Sequence, residues 1–76
     1  PEKLVNLYLY NHILYIKPTK SISYALSIYD IFGRKIKEIN ANGDLEIDLS
    51  ALHNGLYIYR IESRDSYYSS KLILNQ

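Results

Sequence analysis

Apolar and polar residues alternate along most of the chain, and turn-forming residues interrupt the alternation at short intervals. A period of two is typical of half-buried β-strands, because successive side chains of a strand point to opposite faces. No stretch has the period of an amphipathic helix, although the corner at residues 50–54 is long enough for one helical turn. The pattern predicts seven short strands, at residues 4–10, 13–17, 23–30, 34–39, 44–49, 56–62 and 67–74.

The first two predicted strands form a hairpin. Asn11 and His12 both tolerate a positive φ, so we expect them to make a two-residue turn. That turn pairs Tyr10 with Ile13, and the resulting register assigns every residue of both strands to a consistent face. One face then carries Val5, Leu7, Leu9, Leu14 and Ile16, and the other carries Tyr8, Tyr10, Ile13 and Tyr15.

The later strands have equally clear inward faces. Pro18 should break the sheet, Gly33 should provide a positive φ for a turn, and residues 40–43 should form another turn that ends in Asn-Gly. Phe32 and Leu52 are expected to cap the core. The predicted inward residues are Leu45, Ile47, Leu49, Tyr57, Tyr59, Ile61, Leu72 and Leu74.

Short strands joined by connections of about two to six residues predict an all-β fold. We expect a seven-stranded antiparallel β-sandwich with immunoglobulin-like layering, and an open barrel is the alternative. A length of 76 residues corresponds to a single domain over residues 1–76. The first residue is Pro1, so we expect this domain to be excised from a longer protein. Eleven Ile, eleven Leu and nine Tyr strengthen the preference for strands.

Composition excludes several kinds of chemistry. The chain has no cysteine, hence no disulfide, thiolate zinc site or cysteine nucleophile. A net charge of +1 removes the electrostatic argument for binding nucleic acid. No apolar run approaches the ~20 residues that span a bilayer, so no transmembrane segment is predicted. The basic group Arg34, Lys35 and Lys37 is interpreted as a solvated strand face.

Catalytic patterns are weak, so we predict no enzyme, no metal site and no cofactor. His12 and His53 fall in predicted turns with no triad-like partners. Asp44, Glu46 and Asp48 alternate along one strand, where residues i and i+2 are ~6.5–7 Å apart, within the range for paired glycosidase carboxylates. Any half-exposed strand with polar residues facing out has the same pattern. We therefore interpret the three acids as a solvated strand face.

The second face of the first hairpin is aromatic. Tyr8, Tyr10 and Tyr15 could pack across the strands beneath an upstream domain, contact a protein partner, or stack on sugar rings. Packing is the first of these interpretations, a protein partner the second and sugar the third. The aromatic face motivates an alternative function as an accessory β-sandwich binding module of the fibronectin III or carbohydrate-binding type.

Three stretches of the chain resemble one protein family. Residues 28–36 read Ile-Tyr-Asp-Ile-Phe-Gly-Arg-Lys-Ile, and residues 48–61 begin with Asp-Leu-Ser and contain Gly-Leu-Tyr at residues 55–57. Residues 71–74 read Lys-Leu-Ile-Leu. In this order the stretches are similar to the motifs of type IX secretion C-terminal sorting domains, which end many exported proteins of the Bacteroidetes. The resemblance covers roughly residues 22–76.

The resemblance implies a non-catalytic signal domain for an upstream cargo protein. It implies passage through the periplasm, export by the type IX outer-membrane translocon, removal of the domain by a sortase, and a cargo that is extracellular or on the cell surface. The positions that match the family motifs are Asp30, Gly33, Arg34, Gly55, Tyr57, Lys71, Leu72, Ile73 and Leu74.

Overall fold

The computed structural model describes residues 4–75, and none of these residues is helical. The seven strands are β1 (Val5–Tyr10), β2 (Ile13–Pro18), β3 (Ser23–Tyr29), β4 (Lys35–Asn42), β5 (Leu45–Asp48), β6 (Gly55–Glu62) and β7 (Tyr67–Leu74). The all-β prediction is therefore confirmed over the described range. The corner at residues 50–54 consists of turns and bends without a helical turn.

The strands form two sheets. One sheet has the order β1-β2-β5 and the other the order β4-β3-β6-β7, and all neighbouring strands are antiparallel. An open barrel would require pairing between the two sheets, and no described strand makes it. The two sheets enclose one core, which confirms a two-layer antiparallel arrangement.

The core consists of the inward side chains of both sheets. Leu14 and Ile16 from the three-stranded sheet, and Ile28 and Ile61 from the four-stranded sheet, are fully buried. Leu52 is half-buried and packs against this core, as expected for a plug at the corner after β5. The buried hydrophobic residues are Leu4, Val5, Leu14, Ile16, Tyr24, Leu26, Ile28, Ile47, Leu49, Tyr59, Ile61, Leu72 and Leu74.

The predicted hairpin is confirmed. Asn11 and His12 have φ values of 54° and 69°, and the register pairs Tyr10 with Ile13. These two positive φ angles suit a two-residue hairpin turn because they match the twist of the flanking strands. The apolar and aromatic faces fall where alternation placed them.

Most of the differing strand ends are displaced from the prediction by one residue, and the end of β4 is displaced by three. β4 continues to Asn42, past its predicted end at Ile39, because Asn42 still pairs with Ser23. Asn40 and Asn42 are exposed on this edge strand, and of the four residues predicted to form a turn only Gly43 lies outside β4. Pro18 does not lie outside the sheet but is the last residue of β2, opposite Val5. A proline, which has no N–H, is tolerated at such a strand end.

Candidate functional site

The three sequence motifs converge on one end of the four-stranded sheet. The turn at residues 30–34 follows Tyr29, the last residue of β3, and Tyr29 lies opposite Ile58 of β6. β6 begins at Gly55, opposite Leu74 at the end of β7. The β3–β4 turn, the start of β6 and the end of β7 therefore share one end of the sheet.

Asp30 organises the first of these motifs. Its Oδ1 accepts hydrogen bonds from the backbone N–H groups of Phe32 and Arg34, each at 2.9 Å. Its Oδ2 accepts a further bond from Arg34 Nε at 3.0 Å. The backbone hydrogen bond from Arg34, the main cause, and that from Phe32 hold the pKa of the Asp30 carboxyl below its usual range. The carboxylate thus closes its own turn.

The same turn requires Gly33. Its φ of 85° is a conformation that residues with a Cβ rarely adopt, so the predicted turn glycine is confirmed. The Gly33 N–H donates to the Asp30 carbonyl at 3.0 Å. These contacts hold the turn tight at the end of the sheet.

The prediction that Phe32 caps the core was wrong. Its side chain is 87% exposed at the tip of the turn, and Ile31 beside it is also exposed. The reason is the local turn that Asp30 and Gly33 close, which is too short to fold back over the end of the core.

The second motif contains both residues that hold the start of β6 in place and a residue that is exposed. Gly55 has a φ of 149°, and the hydroxyl of Tyr57 donates to the His53 carbonyl at 2.7 Å, which joins β6 to the corner before it. Tyr57 is half-buried and packs against the core. Leu56 lies between these two positions and is 41% exposed on the outer face.

The third motif lies on a sheet edge. Leu72 and Leu74 are buried in the core, whereas Lys71 and Ile73 face outward, as alternation predicted. Among the strands that the structure describes, β7 pairs with β6 alone, so one row of its backbone N–H and C=O groups lacks a ladder partner. Lys71 forms no ion pair within residues 4–75.

Two of the other edge strands, β4 and β5, carry more charge than β7. β4 carries Lys35, Lys37 and Glu38 on its exposed or half-buried positions, and β5 carries Glu46 and Asp48. Charged side chains discourage pairing with another chain at an edge strand. β7 has eight residues but Lys71 is its single charge, and β1 has none. The edge that carries the third motif is thus poorly protected against strand addition.

An apolar surface covers this end of the outer face. In the strand register, Tyr29 lies beside Ile58, and Leu56 lies beside Ile73. Residues opposite each other in neighbouring strands share a face, so these four side chains form two adjacent rows. We call the surface formed with the turn tip the end patch; its residues are Tyr29, Ile31, Phe32, Leu56, Ile58 and Ile73.

The aromatic face lies on the other sheet. Tyr8 and Tyr15 are cross-strand neighbours whose rings stack, with centroids 4.8 Å apart and an angle of 15° between planes. Each ring therefore covers one face of the other, as expected for cross-strand packing. Tyr10 is exposed beyond the pair. A depression of about 200 Å³ beside the stack is lined in part by Asp44 and Glu46.

The remaining polar candidates have structural contacts. Asp48 accepts a hydrogen bond from the Ser50 N–H at 2.9 Å, and this bond is the main cause that lowers the pKa of its carboxyl. The carbonyls of His12 and His53 each accept one bond, from the Leu49 N–H and the Tyr57 hydroxyl respectively. Within residues 4–75, no group of three or more His, Asp or Glu side chains is arranged to hold a metal ion.

The sequence model of the secretion system C-terminal sorting domain family matches residues 10–75. The chain belongs to this family. The match includes every strand after β1 and all three motifs. A search of curated proteins found no match.

Membership of the sorting domain family defines the function in outline. The chain is a C-terminal sorting signal for type IX secretion, which implies export to the cell surface or the extracellular space and an interaction with the type IX machinery. In the part of the chain that the structure describes, no helix is both long and apolar enough to cross a bilayer.

Proposed function

We propose that residues 1–76 form a single non-catalytic sorting domain that directs an upstream cargo protein from the periplasm through the type IX outer-membrane translocon. The observation that carries the proposal is the family match over residues 10–75, which includes all three motifs of the end of the four-stranded sheet. A system that exports unrelated cargoes needs a shared folded shape on each of them. The rigid turn of Asp30 and the exposed edge of β7 are features of such a shape.

The edge of β7 supplies a physical means of recognition. An extended segment of a receptor adds to the free edge, main-chain hydrogen bonds provide affinity, and outward side chains provide specificity. β7 suits this role because its inward residues Leu72 and Leu74 anchor it in the core while its outer backbone groups stay free of any described strand.

The layering is immunoglobulin-like in this proposal. In immunoglobulin variable domains, the third, sixth and last main strands share a sheet that extra strands join on the side of the third. Here β3, β6 and β7 occupy one sheet, and β4 joins it beside β3. This order supports the proposal that type IX recognition uses a compact immunoglobulin-like module.

A sortase removes the domain after export in this scheme. The family resemblance supports this step, and no catalytic group of the chain itself takes part. The mature cargo then remains outside the cell or on its surface without the sorting domain.

The test is a fusion of a fluorescent reporter, bearing an inner-membrane export signal, to residues 1–76. In a host with type IX machinery, we expect the reporter to appear outside the outer membrane, with the mass of the domain lost where the sortase acts. The matched control is the same fusion in a host that lacks the translocon, where the reporter should remain periplasmic.

Retention of the reporter in the periplasm of the competent host contradicts the proposed function. Export of a reporter that still carries the domain contradicts only the sortase step.

A second candidate function is an accessory binding module that uses the exposed Tyr10 and the outer ring face of Tyr8. The stack between Tyr8 and Tyr15 supports a packing role instead, because each ring already covers its neighbour. Export of a Tyr8→Ala/Tyr15→Ala fusion at the native level would separate this face from the sorting signal.

A further inference from the structure

The family motifs of this chain place structural residues beside exposed apolar ones. Asp30 and Gly33 build a turn whose tip is Phe32. Gly55 and Tyr57 secure the start of β6 and leave Leu56 on the outside. These exposed residues contribute nothing evident to the core, yet they are large and hydrophobic.

The register brings together exposed and half-buried residues from separate motifs. Leu56 of β6 lies opposite Ile73 of β7, and Ile58 lies between Tyr29 of β3 and Lys71 of β7. The turn tip extends from the end of β3 at the same end of the sheet. Three regions separated along the chain thus contribute apolar side chains to the same end of the four-stranded sheet, and together they make up the end patch.

Charge limits what can cover the end patch. Arg34 is paired with Asp30, and Lys35 with Glu38, so these two basic side chains at the turn already have acidic partners. Lys71 remains without an ion-pair partner in residues 4–75 and lies beside Ile58. Two copies packed symmetrically through the end patch would bring two Lys71 ammonium groups together, which is unfavourable.

We propose that the end patch is the docking surface for the type IX machinery, and that its partner presents an apolar protein surface with a carboxylate opposite Lys71. This inference rests on the proposed function and adds the location and the chemistry of the contact. Apolar side chains at the centre of an interface with a few charges at its rim are typical of specific protein–protein contacts.

The experiment uses the reporter fusion with three separate substitutions in the end patch: Phe32→Ser, Leu56→Ser and Ile73→Ser. Each should lower the exported fraction by about tenfold, since loss of one central apolar contact weakens binding by about that factor. Melting temperatures should stay near the native value because the side chains are exposed. If Leu56→Ser melts lower than the native domain, Leu56→Gln replaces it.

The matched control is Tyr67→Ser. Tyr67 and Ile73 lie at opposite ends of β7, face the same side, and are each 64% exposed. Tyr67 contacts Arg60, whose guanidinium carbon is 4.2 Å from the ring centroid, and it is outside the end patch. Export of the Tyr67→Ser fusion should equal that of the native fusion.

A second pair of variants tests the chemistry of the partner. Lys71→Glu should lower export by about tenfold, while Lys71→Arg should retain it, because only the first replaces attraction to a carboxylate by repulsion. Native export by Lys71→Glu would overturn the assignment of a carboxylate partner.

The outcomes distinguish this inference from the proposed function. Native export by all three folded end-patch variants, or an equal loss in Tyr67→Ser, overturns the docking surface while the sorting function stands. Failure of the unsubstituted fusion to leave the periplasm overturns the sorting function and, with it, this inference.

Discussion

Asp30 shows how a single motif residue determines a local shape. Its carboxylate accepts two backbone hydrogen bonds and one side-chain bond from residues two and four positions further along the chain. Such short-range bonds compete with strand pairing and favour a tight turn. The motif therefore specifies the turn, and the exposed side chains at its tip follow from it.

The lowered pKa of Asp30 predicts a pH dependence. A carboxyl whose folded-state pKa lies below its unfolded value stabilises the fold above that unfolded value, and the stabilisation is lost as the pH falls through the folded pKa. We expect Asp30→Asn to melt below the native protein at about pH 7, with the difference shrinking below about pH 4. Thermal melts across this range measure it.

The matched control is Asp65→Asn, at an exposed acid in the β6–β7 turn. It should melt like the native protein at every pH. The assigned role of the Asp30 carboxylate would be contradicted if the melting temperatures of Asp30→Asn and the native protein differed as much at about pH 2 as at about pH 7.

Tyr59 predicts the opposite pH dependence. Burial first, and then the hydrogen bond with Tyr68, raise the pKa of the Tyr59 hydroxyl to about 12. Because the folded protein holds this proton more tightly, stability is complete below about pH 10 and falls as the pH rises towards about 12. Raising the pH from about 10 to above about 12 should therefore lower the free energy of unfolding by an amount on the order of 2 kcal/mol through the Tyr59 hydroxyl.

Tyr59→Phe should weaken this alkaline loss, and Tyr10→Phe, at an exposed tyrosine, should not. Urea melts between about pH 8 and about pH 11 make the comparison. An identical alkaline slope in the native protein and Tyr59→Phe would exclude the Tyr59 hydroxyl as the cause.

At the scale of the element, β7 alternates buried and exposed residues along a single strand. Leu72 and Leu74 fill the core, and Lys71 and Ile73 alternate with them on the outer face. Deleting the strand would remove both sets at once. Single substitutions are more informative because the period of two assigns each residue to one face.

We expect Leu72→Ala to lower the free energy of unfolding by about 2–4 kcal/mol, since it leaves a cavity in the core. Ile73→Ala should change the free energy of unfolding by less than about 0.5 kcal/mol. Urea denaturation of the two variants measures both values. If the two variants lost similar amounts of unfolding free energy, the exposed outer face of β7 would also stabilise the fold, contrary to this expectation.

At the scale of the whole molecule, the two-sheet topology creates the candidate site. β3 pairs with β6 across the intervening β4, β5 and corner, and β5 crosses to pair with β2 in the other sheet. These long-range pairings place the β3–β4 turn beside the ends of β6 and β7. The end patch exists because of these pairings.

The sequence by itself determined the features that depend on near neighbours. Alternation predicted the seven strands and their inward residues, and Asn11-His12 predicted both the hairpin turn and its register. Gly33 was predicted to be a turn glycine and is one. These predictions succeeded because strand period and turn conformation are set by residues within a few positions of each other.

Tertiary structure alone decided the order of the strands, and with it the open edge of β7, the exposure of Phe32 and the meeting of three motifs. Alternation states that Ile73 faces away from the core, but it does not state which side chains lie beside it. The order of strands depends on which distant pairings together bury the most apolar surface. Alternation is a pattern among near neighbours in the chain, so it does not show which distant strands pair. The end patch was therefore invisible in the sequence even though every residue in it was known.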